Sequence, residues 1–211
     1  MLGEPEGTTA VRRARAAIAA AVGAPGPAGP VEPTPAVFRE PRGVFVTILR
    51  HPSGALRGCI GYPLPVLPLG DAVERAAVAA AIDDPRFRPV RAEELDRLVL
   101  DVSILTVPEP IAENDPARRV AAVEVGRHGL IVEGRGTSGL LLPQVAVEQR
   151  WSAEEFLDGT CEKAGLPPGA WRLPGVRLER FEATIFRETA PNGPVVREEL
   201  PATPARRAPR S

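Results

Sequence analysis

The sequence predicts an α+β fold, and three observations predict it. An N-terminal stretch repeats apolar residues at helical spacing. Two short apolar runs joined by a turn-forming tetrapeptide read as antiparallel strands. Beyond them, capped helical segments and strand-like runs share the rest of the chain. A length of 211 residues fits one domain with at most a minor subdomain, and an apolar fraction of 44% supplies a real core.

Thr8 and Thr9 can cap a first helix running to about Val22, with Gly23 as its stop. Val11, Ile18 and Val22 make its apolar stripe. Residues 23–43 are dominated by proline and glycine and read as a connecting arm, unable to pair as a central strand. Residues 43–50 are apolar on both faces, as a strand buried on both sides requires. His51-Pro52-Ser53-Gly54 turns the chain, and residues 55–60 return antiparallel.

Residues 71–82 read as an alanine-rich helix that stops before Pro85, because the residue preceding a proline is pushed out of the helical region. A short helix over 92–97 and a strand over 98–107 follow. Residues 123–126 and 130–133 are expected to form a hairpin with Arg127-His128-Gly129 at its tip, and 140–142 a further strand. Pro143 suits a first helical turn. Ser152 with Glu155 matches a capping box opening a helix through Lys163, which ends at Gly165. Residues 176–188 read as a long strand. From 191 to 211, prolines and arginines with few apolar residues describe a disordered tail.

Composition excludes several functions. The formal net charge is −1 and aromatic residues make up 4%, which leaves neither a basic field nor stacking platforms for nucleic acid. No run is long and apolar enough to span a bilayer, and Arg15 interrupts the run that resembles an export signal, so the expected location is the cytoplasm. Two cysteines, Cys59 and Cys161, make no disulfide framework. No C-x-x-C or H-E-x-x-H spacing, glycine-rich phosphate loop or G-x-S-x-G elbow occurs, and no metal or cofactor is expected.

The stretch that points to chemistry is Leu56-Arg57-Gly58-Cys59-Ile60-Gly61. Strand alternation puts Arg57 and Cys59 on one face, where the guanidinium can favour a thiolate. Gly58 and Gly61 leave the backbone open to close approach. Cys59 then reads either as a nucleophile or as a small buried hydrophobe. Arg57 reads either as an anion-binding fork or as half of a structural ion pair. His128 is a candidate general base, or a turn residue. Gln144 and Glu148 can orient a ligand or a water, or satisfy backbone groups at a helix start. Asp84 and Arg86 flank a proline turn, as a local ion pair or as part of a ligand site.

Several phrases taken together resemble one family: Gly43-Val44-Phe45-Val46-Thr47, the Leu56–Gly61 signature, Asp84-Pro85-Arg86-Phe87, Val102-Ser103-Ile104-Leu105, His128-Gly129-Leu130, the run from Gly139 to Val145, Trp151, Phe156-Leu157, and the run from Cys161 to Leu166. Their order over residues 9–188 is similar to the AMMECR domain family, whose bacterial branch is called AmmeMemoRadiSam system protein A. The resemblance implies a compact fold with a larger and a smaller lobe over residues 1–190, the signature lining a cleft between them. It also implies two partners, a Memo-like protein and a radical S-adenosylmethionine enzyme. Two functions follow as expectations. One is a cysteine-dependent hydrolase or transferase acting on a small molecule or peptide, with Cys59, Arg57 and His128 catalytic. The other is a non-catalytic module holding an anionic ligand or partner peptide in the same cleft, with Arg57 as anchor; Gly58, Gly61, Arg86, Gln144 and Glu148 are the candidate ligand contacts.

Overall fold

The computed structural model describes residues 2–25 and 35–198, and these form a mixed α+β structure divided into two compact units. One unit takes the residues up to 107 together with 184–198, and the other takes 108–183.

The first unit opens with α1 (Glu4–Ala21). This helix begins before the expected Thr8–Thr9 cap, because Pro5 is preset for a first turn and the Glu6 carboxylate accepts the Gly3 N–H at 2.9 Å. Thr9 instead donates its hydroxyl back to the Pro5 carbonyl inside the helix. Gly23 ends the segment with φ +71. Of the proline-rich arm, residues 26–34 lie outside the described residues. The remainder includes a 3-10 turn, Ala36–Arg39, which buries Phe38 in the core.

Strands β1 (Val44–Arg50) and β2 (Leu56–Tyr62) form the expected antiparallel hairpin. Helix α2 (Leu69–Ile82) packs on both. Its alanines 72, 76, 77 and 80 are buried, and small side chains let the helix lie close to the sheet. A 3-10 helix, Ala92–Arg97, leads into β3 (Leu98–Leu105), which pairs antiparallel with β1. Val44, Val46 and Ile48 are fully buried beneath α2 and share one core with Leu100, Val102 and Ile104 of β3. Burial of side chains of this size stabilises by about 1.5–3 kcal/mol each.

The second unit contains β4 (Glu109–Pro110), α3 (Pro116–Ala121), β5 (His128–Gly134) and β6 (Thr137–Leu141), followed by α4 (Pro143–Gln149) and α5 (Ala153–Lys163). Here the expected hairpin is corrected. Asp115 accepts the Arg118 N–H and Pro116 fills the first position, so a helix precedes residues 123–126. The true hairpin is β5–β6, turning at Arg135-Gly136, both with positive φ as a tight primed turn requires. His128 therefore opens a strand and does not sit at a hairpin tip. Helix α5 carries the expected capping box, with the Ser152 N–H donating to Glu155 at 2.7 Å. Phe156, Leu157, Cys161 and Trp171 form this unit's core with Leu130 and Val132.

The last long strand, β7 (Arg177–Glu188), contributes residues 177–183 to the second unit, where β5 pairs with it, and its remaining residues to the first. It does not end the fold. β8 (Val195–Glu198) pairs antiparallel with β7 from residue 185 onward, after a turn in which Asn192 takes φ +57. The expected disordered tail is thus corrected for residues 191–198, where Val195 and Val196 supply a strand edge; residues 199–211 lie outside the described residues. A buried ion pair ties α1 to this end of the chain. Arg15 Nε donates to Glu188 Oε1 at 2.7 Å, Arg15 Nη2 donates to the Leu98 carbonyl, and Glu188 accepts the Leu100 N–H. No helix among the described residues is long and apolar enough to cross a membrane.

Candidate functional site

The signature hexapeptide lies on β2, and its alternation is broken at one place. Ile48 faces Gly58 and Leu49 faces Leu56, so Arg57 has no partner on β1. This is a bulge, a device that re-aims a side chain. Arg57 is 5% exposed and held on four bonds. Nε and Nη2 reach the two Glu94 carboxylate oxygens at 2.9 Å each, Nη1 reaches the Arg88 carbonyl at 2.8 Å, and Nη2 reaches the Pro89 carbonyl at 3.3 Å. The Arg57 guanidinium holds the Glu94 carboxyl below its ordinary pKa against the opposing effect of burial, helped by the Arg91 N–H and by Arg50 at 3.6 Å. Arg57 thus anchors the 88–94 segment onto β2.

A second contact covers the outer edge of the same strand. Cys59 stands opposite Thr47, and its N–H donates to Asp84 Oδ2 at 2.8 Å. Arg86 Nη2 donates to the Cys59 carbonyl at 3.2 Å and to Asp84 Oδ2 at 2.7 Å. Asp84-Pro85-Arg86 therefore supplies to β2 the acceptor and donor that another strand would supply. Asp84 is buried, yet the Arg86 guanidinium holds its carboxyl far below the usual carboxylate range, with the Cys59 and Arg86 N–H groups assisting against desolvation. The arginine that touches Cys59 is Arg86, through the main chain.

Cys59 itself is half-buried, and its sulfur lies 3.3 Å from the Thr47 hydroxyl. Among the described residues, no histidine or carboxylate is hydrogen-bonded to that sulfur. Both glycines have packing reasons. A Cβ at Gly58 would stand 2.1 Å from the Ala80 carbonyl oxygen of α2, and one at Gly61 would meet the Phe45 ring at 2.3 Å. Gly58 lets the helix backbone approach the strand, and Gly61 lies under an aromatic ring.

Beside Arg57 the surface opens into a groove of about 980 Å³, lined by Arg50, Arg57, Arg86, Phe87, Arg88, Pro89, Arg91, Glu93, Glu94 and Arg97. Six arginines face two glutamates there. Arg57 and Arg50 share Glu94, and Arg86 is paired with Asp84. Arg88, Arg91 and Arg97 are exposed, and among the described residues they have no carboxylate partner within ion-pair distance. Glu94 and these three arginines are absent from the sequence reading of the site. The arginines at 86, 88, 91 and 97 clustered around Pro89, in a chain of net charge −1, were the available signal.

The other predicted residues belong to the second unit. His128 is buried, and its Nδ1 accepts the Glu124 N–H at 3.0 Å, which calls for a neutral ring. Burial, then Arg180 and Arg127, push its pKa below the ordinary value. Gln144 is half-buried on α4 with its Oε1 unpartnered among the described residues, and Glu148 is exposed. Cys161 is fully buried on α5, and burial pushes its thiol pKa up. No group of three or more histidine, cysteine, aspartate or glutamate side chains among the described residues is placed to hold a metal.

Comparison with known proteins agrees with this architecture. The family model described as AMMECR1 matches residues 11–186. A protein of Thermococcus gammatolerans is 53% identical over 197 residues, covering 92% of this chain and 96% of that relative. One from Methanocaldococcus jannaschii is 50% identical over 195 residues, with the same coverage of 92% and 96%. The crystal structure of an uncharacterised protein from Pyrococcus horikoshii matches with a TM-score of 0.83 and 48% identity, over 94% of this chain and 99% of that one.

Proposed function

The chain belongs to the AMMECR1 family, and from that premise we propose that it is a non-catalytic binding module whose recognition surface is the arginine groove beside the signature strand. The observation that carries this reading is the division of labour among the arginines. Arg57 and Arg86 are committed to internal partners, whereas Arg88, Arg91 and Arg97 face solvent with no carboxylate partner among the described residues. A cluster of like charges opposes compact folding, and its presence in a chain of net charge −1 is accounted for by an anionic partner.

Thiol chemistry at Cys59 has less support. Its main-chain N–H is committed to Asp84 and is not free to stabilise an oxyanion, and both signature glycines are explained by packing. Gly58 and Gly61 accordingly act by shaping the strand, and Arg57 by holding the groove wall. The Memo-like protein and the radical S-adenosylmethionine enzyme implied by the family branch are the first candidates for the complementary acidic surface.

Retention on a sulfonate matrix at neutral pH tests the reading. Wild type is expected to bind despite its net charge, Cys59→Ser to bind equally, and the Arg88→Glu/Arg91→Glu variant to flow through. Equal retention of the charge-reversed variant, or loss of retention in Cys59→Ser, overturns it.

A further inference from the structure

We propose that the partner of this groove is an extended acidic segment of another protein and not a small phosphate-bearing metabolite; the proposal rests on the groove being the recognition surface. A site for one small anion concentrates donors on it, with at least one buried guanidinium free to make a paired, desolvated fork. The one buried guanidinium in this groove, Arg57, is saturated by Glu94 and two carbonyls. The donors that remain, on Arg88, Arg91 and Arg97, are all exposed. Charge pairs at exposed positions are individually weak and screened by salt. They reach useful affinity only when several are engaged at once by a chain carrying repeated negative charge, and 980 Å³ of open groove gives such a chain room.

Peptide is favoured over nucleic acid by the lining. Among the described residues lining it, Phe87 is the only aromatic side chain, and the Arg86 guanidinium lies 5.5 Å from its ring centroid, so successive bases find no free stacking platform. The exposed Glu93 in the lining adds repulsion towards a continuous phosphate backbone but is tolerated by a peptide whose carboxylates are spaced. Recognition of this kind is electrostatically steered and falls steeply with ionic strength.

The test uses fluorescence anisotropy on the full chain with three probes: a labelled decapeptide of alternating Glu and Ser, a labelled oligo-dT of matched charge, and unlabelled pyrophosphate as competitor. Wild type is expected to bind the peptide, and to lose about tenfold in affinity between roughly 50 and 300 mM salt. The Arg88→Ala/Arg91→Ala/Arg97→Ala variant is expected to weaken binding by about tenfold or more while melting at the wild-type temperature, since its three side chains are exposed. Pyrophosphate is expected not to displace the peptide. If pyrophosphate displaces it, or if oligo-dT binds more tightly, and the triple variant abolishes that binding, the groove remains the anion site and the acidic-segment proposal is overturned. If no probe distinguishes the triple variant from wild type, both the proposal and the reading beneath it fall.

Discussion

The Cys59 N–H donates to the Asp84 carboxylate at 2.8 Å, and the Arg86 guanidinium returns a bond to the Cys59 carbonyl at 3.2 Å. One residue pair thereby completes the hydrogen bonding of Cys59 on the outer side of β2. The residue that the sequence marks as the centre of reactivity is, in the fold, the point at which an edge strand is closed off.

Replacing Asp84 by Asn weakens this closure. The carboxylate is buried and accepts from Cys59 and Arg86, so the variant is expected to lose about 1.5–3 kcal/mol, read from urea denaturation at pH 7. Because the folded pKa of Asp84 is depressed, its ionised form contributes fully above the unfolded carboxyl value of about 4. That contribution is lost as pH falls from there through the folded pKa. The gap between wild type and variant should therefore be flat at neutral pH and shrink only in acid. A gap that already narrows between pH 7 and pH 5 contradicts the assignment.

Glu94→Ala leaves the Arg57 guanidinium with only its two carbonyl partners. Breaking a fully buried pair costs about 3–5 kcal/mol, and the partial exposure of Glu94 brings the expectation to about 2–3 kcal/mol. In a double-mutant cycle, Arg57→Ala in the Glu94→Ala background should cost less than in wild type by at least about 1 kcal/mol. Additive losses would mean that the pair is not coupled.

Gly58→Ala should be among the costliest single-methyl additions in the chain. The new methyl meets the Ala80 carbonyl at 2.1 Å, a backbone atom with little freedom to move, so about 2–3 kcal/mol of stability should be lost. Thermal melts of Gly58→Ala and Gly61→Ala compare the two sites. The second is also expected to destabilise, since its methyl meets both the Phe45 ring at 2.3 Å and the Val44 carbonyl oxygen at 2.5 Å, but by less than the first, whose backbone clash is closer.

His128 gives the fold a sensitivity near neutrality. Its ring accepts the Glu124 N–H and its pKa is depressed chiefly by burial, so the unfolded chain takes up the proton first. The stability it contributes is present above about pH 6.5 and declines as pH falls towards and through the folded value. An NMR titration should place His128 below the ordinary histidine value, and His128→Asn should flatten the stability profile between about pH 6.5 and 5.

The two thiols should separate cleanly in a labelling experiment. Cys59 is half-buried and Cys161 is sealed in the second core, so a neutral thiol reagent should modify Cys59 in the native protein and both residues only after unfolding. Native modification of Cys161 at the same rate would contradict its burial.

Local chemistry was readable where one segment carries the whole signal. The β1–β2 hairpin followed from a run apolar on both faces and a Pro-Ser-Gly turn, and α5 from Ser152 with Glu155. Short-range cues were also missed. Asp115-Pro116 starts α3 and Arg135-Gly136 turns the β5–β6 hairpin, but the valines at 123 and 125 read as strand instead. What the sequence could not disclose is tertiary. The bulge at Arg57 breaks an alternation that assumes every residue is paired. The partner of Arg57 is 37 residues away and that of the Cys59 N–H is 25 residues away, separations at which no periodicity carries information.

The Arg15–Glu188 pair joins positions 173 residues apart, and the chain between them includes the entire 108–183 unit. During synthesis the ribosome releases that internal unit before the outer one has received its last strands. The inserted unit is therefore made before the acid that pairs with Arg15 of α1 and accepts the Leu100 N–H of β3. A stop codon shortly before position 188 would strand the guanidinium of Arg15 without its counter-charge.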